Sequence, residues 1–233
     1  GIPLKVGVSV VGVMNVARST VGGFSSTELR LLGLLADQAA VAISNANLHQ
    51  LISRQAYSDT LTGLPNRRAL DERLEQEVQS ARRNGYSFAV VMMDLDGFKN
   101  VNDTYGHSIG DDVLRVVFNQ MARGVRTTDF LARYGGDELT LILTQSDMSS
   151  ARIVTAKIIA GMNKLNFTLP DRKKLKLGIS GGIAIYPVHA RNGPDLLRAA
   201  DAALYQAKKH NRGTFQMARG VTGPIATHHL GDG

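Results

Sequence analysis

"RYGGDELTLIL", residues 133–143, decides how this chain folds. Two glycines and two acids sit between short apolar runs. That pattern is a β-hairpin, and it predicts strands over 129–134 and 138–144 with the glycines in the turn. A turn needs the glycines, but it does not need Asp137 and Glu138 side by side. Two adjacent carboxylates at a hairpin tip ask for a chemical reason.

Working outward, "SFAVVMMD" (87–94) is a continuous apolar run bounded by a turn signal and closed by an acid. It reads as a buried strand that carries Asp94 at its end. Helical periodicity marks 108–125, 149–164 and 194–209, and strand-like runs mark 176–186 and 213–217. Asn66 is placed to cap a helix running to Arg83. Alternating helices and strands with one adjacent strand pair give an α/β sandwich. At the N-terminal end, 5–16 is β-branched and apolar, with Gly7 and Gly12 as bends or bulges. Ser26, or Ser25 with Glu28, can cap a long helix from about Thr27 to Ser58. Leu31, Leu35, Gln38, Ala42, Asn45, His49, Ile52 and Ala56 recur at 3–4 spacing along it, the stripe of a coiled-coil stalk.

The chain has 233 residues, 43% of them hydrophobic and 20% charged, which is a globular composition. There is no cysteine, so disulfides and thiolate metal sites are excluded. No apolar run approaches a membrane span. Residue 1 is Gly with no signal peptide after it, so the chain reads as a fragment of a longer protein. A net charge of +7 first suggests nucleic acid. The basic residues are scattered, however, and the densest cluster, Asp171 to Lys176, is a solvated loop before a strand. No aromatic-basic groove supports a nucleic-acid partner, whereas polyphosphate nucleotides suit the charge equally well. The C-terminal stretch from Ala218 reads as a disordered tail, with His228-His229 an idle pair.

Acid concentrates at two strand ends, Asp94-Leu95-Asp96-Gly97-Phe98-Lys99 and Gly136-Asp137-Glu138. An unpaired carboxylate at the end of an apolar strand is costly. If the hairpin pairs beside that strand, its acids come within reach of Asp94 and repel it unless a cation lies between. Mg²⁺ is held by one or two carboxylates together with substrate phosphates. An EF-hand fails, because its sixth position would be Lys99 and its twelfth Tyr105. Further on, Asn102, Asp103 and Asp111 in "NVNDTYGHSIGDDV" (100–113) offer groups that could read guanine. Taken alone, a helix cap at Ser108 or Asp111 and an Asx-turn at Asn102 explain them better, and His107 reads as structural.

Together these segments resemble the GGDEF family, the diguanylate cyclases. The resemblance is carried by "DTLTGLPNRRAL", "MMDLDGFKNVNDTYGHSIGDDVL", "RYGGDEL", "GISGGIAIYP" and "RAADAALYQAKKHNR", in order from about Ser58 to Phe215. The family signature has Phe where this chain has Leu139. The resemblance implies an α+β fold: a central, mostly antiparallel sheet flanked by helices, like nucleotidyl cyclases and polymerase palms, here preceded by a helical stalk. It implies condensation of two GTP into cyclic di-GMP with release of two pyrophosphates. By position, Asp94, the Leu95 carbonyl, Asp137 and Glu138 would hold Mg²⁺, or Mn²⁺ in its place. Glu138, Asp137 and Lys99 would be catalytic. Asn102 and Asp111 would read guanine, Gly97, Phe98 and Lys99 would cradle phosphates, and Lys208 and Arg212 would clamp the distal phosphates. The usual Gly-Arg-Asn at that last place reads Asn211-Arg212-Gly213 here. Arg126 and Asp129 fall where the family carries an RxxD inhibitory site for cyclic di-GMP.

One domain holds one GTP, so the resemblance also implies a homodimer. Residues 12–48, "GVMNVARSTVGGFSSTELRLLGLLADQAAVAISNANL", resemble the closing strand and last helix of a GAF sensor. The implied order is a partial GAF-like sensor over 1–50, a helical linker over 51–58, the GGDEF domain over 59–217 and the tail over 218–233. A cytoplasmic location is expected, with any membrane attachment upstream. The alternative is a silent homologue that binds GTP or cyclic di-GMP without turning it over.

Overall fold

A computed structural model describes residues 1–19, 21–168 and 174–220. The chain divides into two compact units, Gly1–Ala56 and Tyr57–Gly233.

In the first unit, β1 (Ile2–Val6) and β2 (Ser9–Met14) pair antiparallel. The single apolar run expected over 5–16 is therefore the turn and second arm of a hairpin. Gly7, at φ +59, lies in the left-handed region that this tight turn requires. The register shifts between Leu4 and Lys5, next to the Leu4–Gly12 pair. Helix α1 (Ser26–Tyr57) opens on a capping box, in which Glu28 accepts from the Ser25 backbone and hydroxyl at 2.8 Å each. Leu4, Ala36 and Ala40 form the small core of this unit. Leu31 and Leu35, on the expected stalk stripe, are exposed at 56% and 60%. The side chains of 49–55 lie outside those described.

In the second unit, five strands form one sheet in the order β4-β5-β3-β8-β9. These are β3 (Phe88–Asp96), β4 (Phe130–Gly135), β5 (Glu138–Leu143), β8 (Gly178–Tyr186) and β9 (Phe215–Met217). The pairs β4–β5, β5–β3 and β3–β8 are antiparallel, and β8–β9 is parallel, so the sheet is mixed. Central β3 is buried along its length until Asp96, as its unbroken apolar run demands. Its alternate residues face two cores. Val91, Met93 and Leu95 pack with α3 (Phe98–Tyr105), α4 (His107–Arg123) and α5 (Met148–Met162). Phe88, Val90 and Met92 pack with α2 (Arg67–Asn84) and α6 (Gly193–His210). Gly182 lets α6 lie directly on β8: a Cβ there would come 2.1 Å from the Ala200 carbonyl oxygen.

Two short elements depart from expectation. Residues 98–105, given no element in the sequence beyond an Asx-turn at Asn102, form α3, because Phe98 and Val101 are buried in the core and offset the weak helix propensity of Asn and Asp. Lys174–Leu175 form a two-residue strand, β7, with β6 (Phe167–Thr168), inside a stretch expected to be loop. Residues 171–173 of that basic cluster lie outside the described residues. So does the expected tail from 221 on, including His228-His229. Its first residue, Ala218, is buried and donates its N–H to the Ile183 carbonyl at 2.7 Å.

Candidate active site

The hairpin pairs beside β3 so that Asp94 stands opposite Glu138. Residues 94 and 138 thus project on the same face of adjacent strands, where side chains opposite one another touch. Gly136, at φ +51, makes the turn, and the register shift between Arg133 and Gly135 brings the tip round. The Leu95 N–H reaches the Asp137 carbonyl at 3.4 Å, which closes the hairpin tip onto β3. The Lys208 ammonium, from the last turn of α6, lies 2.6 Å from Asp94 Oδ2.

The electrostatics follow from this crowding. Burial pushes the Asp94 carboxyl above its ordinary range, and the nearby Asp137 and Asp96 charges add to that, against the Lys208 bond. Burial raises Glu138 as well, followed by the repulsion of Asp94, with Lys208 opposing. Both acids therefore hold protons more tightly than free carboxylates, and a cation beside them would relieve the repulsion. Among the described residues no three acidic or histidine side chains converge as a metal cage. Two facing carboxylates with all-oxygen donors still fit a hard divalent ion that takes its remaining ligands from phosphates and water.

The segment after β3 completes the setting. Gly97, at φ +77, starts α3 with no side-chain cap; the Asn100 N–H is taken by the Gly97 carbonyl at 3.0 Å, which among the described residues leaves the Phe98 and Lys99 N–H groups available to a ligand. Buried Phe98 anchors the loop, and Lys99 is exposed beside it. Asn102 folds over the first turns of α4: a Cβ on Gly110 would come 1.9 Å from Asn102 Oδ1. That places Asn102 next to the residue preceding Asp111. Helix α4 starts at His107 behind Gly106 with no side-chain cap, so neither Ser108 nor Asp111 caps it. Arg212 is exposed just after α6.

Arg126 and Asp129 lie away from this cluster, before β4. Asp129 lies six positions before Gly135 along the strand, about 20 Å at the usual rise. Arg126 lines a surface cleft of about 580 Å³ with Arg73, Tyr86 and Thr128. Asp129 accepts from the Thr144 N–H at 3.2 Å and forms no ion pair with Arg126 among the described residues.

Sequence reading missed the support beneath the hairpin. Arg133 donates from Nη1 to both Asp59 carboxylate oxygens, at 3.0 and 2.9 Å, and from Nε and Nη2 to the Gly136 carbonyl at 2.9 and 2.8 Å. Asp59 also accepts from the Thr62 N–H and hydroxyl at 2.8 and 2.6 Å. Burial alone would raise the Asp59 carboxyl, but the bonds from Thr62 and Arg133 outweigh it and hold it low. Arg133 thereby ties "DTLTG" to the acid-bearing turn. The signal was there in an acid and an arginine flanking two turn motifs, but their separation hid the pairing.

A family model described as "Diguanylate cyclase, GGDEF domain" matches residues 56–214. The chain belongs to the GGDEF-domain diguanylate cyclase family. The bifunctional diguanylate cyclase/cyclic di-GMP phosphodiesterase MucR of Pseudomonas aeruginosa is 38% identical over 182 residues, 78% of this chain and 26% of MucR. Diguanylate cyclase DosC of Escherichia coli is 32% identical over 213 residues, 88% of this chain and 45% of DosC. This GGDEF chain therefore spans less than half of these relatives. Among solved structures, the GGDEF domain of TpbB from P. aeruginosa matches with a TM-score of 0.67 at 36% identity, over 70% of this chain and 94% of that one. The coiled coil and GGDEF domain of DgcB from Caulobacter crescentus, solved in complex with c-di-GMP, matches with a TM-score of 0.75 at 29% identity, over 83% of this chain and all of that one. The mixed five-stranded sheet flanked by helices is the fold these GGDEF structures share with it. Leu139, the departure inside the signature, is fully buried in the core on the α3–α5 side, pointing away from Asp94.

Proposed function

We propose that this GGDEF domain condenses two GTP into cyclic di-GMP and two pyrophosphates. The observation that carries the reading is the Asp94–Glu138 pair facing across β3 and β5 with the Lys208 ammonium beside it, in a chain of this family. Asp94, Glu138, Asp137 and the Leu95 carbonyl would hold Mg²⁺, or Mn²⁺, which supplies charge neutralisation at the α-phosphate. Glu138, its proton affinity raised by burial and by Asp94, is suited to take the proton of the attacking ribose 3′-OH. Lys99 and the free N–H groups opening α3 receive phosphate oxygens, and Lys208 and Arg212 hold the distal phosphates. Asp111 accepts from guanine N1–H and its exocyclic amine, and Asn102 bonds the same base edge. With neither residue used as a cap, both side chains are available for that task.

One domain supplies one GTP, so two domains must face each other for both bonds to form. Helix α1 presents Leu31 and Leu35 to solvent, which suits a stalk between two copies. The unit over 1–56 is read as the end of a GAF-like sensor feeding that stalk. Arg126 and Asp129, with the cleft around Arg126, form the site for inhibitory cyclic di-GMP. DgcB, solved with c-di-GMP, supports a ligand of this kind.

The test is incubation with GTP and Mg²⁺ at several protein concentrations, with chromatographic detection of product. Cyclic di-GMP should form at a rate rising more steeply than linearly with protein until dimerisation saturates. GTP retained without product would instead establish a silent binding module.

A further inference from the structure

Asp96, two residues beyond Asp94, points into a different set of contacts. The Ser180 hydroxyl donates to its two oxygens, at 2.8 Å to Oδ1 and 3.0 Å to Oδ2. The Gly213 N–H donates to Asp96 Oδ2 at 2.9 Å and approaches Ser180 Oγ at 3.1 Å. Ser180 is fully buried in β8. Gly178 stands opposite Asp96, and a Cβ there would come 2.9 Å from Asp96 Oδ2, so the carboxylate has room to fold over only because that neighbour is glycine. Gly213 itself sits at φ +75, and the next residue, Thr214, accepts the Gly181 N–H at 2.9 Å, which carries the chain into β9.

These bonds fix the turn that follows α6. The helix is seated on β8 at Gly182, and its exit is pinned at Gly213. Lys208 and Arg212 lie between these two anchors. A backbone N–H bonded to a carboxylate is a charge-assisted contact, stronger than a neutral one. We propose that Asp96, through Gly213 and with Ser180 as its partner, is a positioning residue that sets the aim of Arg212 at the distal phosphates of GTP. The inference rests on the reading of Arg212 as a phosphate ligand. It also accounts for Asn211-Arg212-Gly213 in this chain, since the residue after Arg212 must reach a left-handed conformation to present its N–H to Asp96.

The experiment compares binding of GMP and of a GTP analogue with a methylene bridge between the α- and β-phosphates, by calorimetry in Mg²⁺ buffer. Asp96→Ala should weaken the triphosphate analogue by about tenfold, the size of one charge-assisted hydrogen bond, and leave GMP unchanged. Asp96→Asn, which keeps an acceptor for Gly213, should restore most of the affinity. Arg212→Ala should reproduce the loss, and the double variant Asp96→Ala/Arg212→Ala should bind no more weakly than Arg212→Ala alone. Additive losses, or an equal loss on GMP, overturn the inference. An unchanged affinity in Arg212→Ala overturns instead the reading of Arg212 beneath it. Should Asp96→Ala fail to fold, Ser180→Ala combined with Arg212→Ala decides on the same criterion.

Discussion

Lys208 Nζ lies 2.6 Å from Asp94 Oδ2, so among the described residues the cation paired with this carboxylate comes from the far end of the chain. The ammonium compensates part of the repulsion between Asp94 and Glu138. Replacing it by a neutral side chain of similar reach leaves those acids facing each other. Lys208→Met should lower stability by about 1–3 kcal/mol in chelator-treated buffer, between the cost of breaking an exposed pair and that of a fully buried one. Millimolar Mg²⁺ or Mn²⁺ should restore more of the melting temperature in the variant than in the parent. Thermal unfolding with and without metal measures both effects.

Glu138→Gln keeps the shape of the side chain but not its charge or basicity. Product formation should fall by at least about 100-fold, the usual scale for losing a positioned base. The fold should survive, because an amide opposite Asp94 removes a repulsion. Product chromatography alongside a melting curve separates the two.

Arg133 joins Asp59 to the Gly136 carbonyl, so the hairpin tip should loosen without it. Arg133→Ala should cost about 1–3 kcal/mol and reduce turnover, and a double-mutant cycle with Asp59→Ala should show strong coupling. Asp59 has a depressed carboxyl pKa, so its contribution is present above the ordinary value of 3.8 and is lost as pH falls below it. Urea unfolding between pH 3 and pH 5 should show a shallower acid loss in Asp59→Ala than in the parent.

His189 is buried, and its Nδ1 accepts the Ile185 N–H at 2.8 Å, a bond that only the neutral ring can make. Burial lowers its pKa below the ordinary 6.5. Its stabilisation is therefore complete above pH 6.5 and declines as pH falls toward the folded value, at a slope of at most about 1.4 kcal/mol per pH unit. His189→Ala should be less stable at pH 8 and should lack this part of the slope, as measured by unfolding at stepped pH.

Leu139 is fully buried on the side of β5 away from the acids. Leu139→Ala should cost about 2–5 kcal/mol by leaving a cavity, while the KM for GTP stays near that of the parent. Urea unfolding with steady-state kinetics checks this. A raised KM at full stability would place Leu139 in the site itself.

The sequence by itself determined a good deal. The unbroken apolar run of β3, short and bounded by a turn signal, announced a strand buried on both faces. Paired glycines announced the turn at 135–136, where Gly136 must adopt a left-handed conformation. Ser25 with Glu28, and Asn66, marked two helix starts, since caps act within three residues. Motifs at strand ends located Asp94, Asp137 and Glu138. Only the tertiary structure decided what these residues face. The register that sets Asp94 against Glu138, the reach of Lys208 to Asp94, the Arg133–Asp59 bridge and the bonds of Asp96 to Ser180 and to Gly213 join residues 44 to 117 positions apart. Helix α3 was illegible for the same reason: its own residues favour a turn, and the core that receives Phe98 and Val101 overrides them. Local chemistry is written in neighbouring letters, whereas the energy of a carboxylate depends on which charges packing brings beside it.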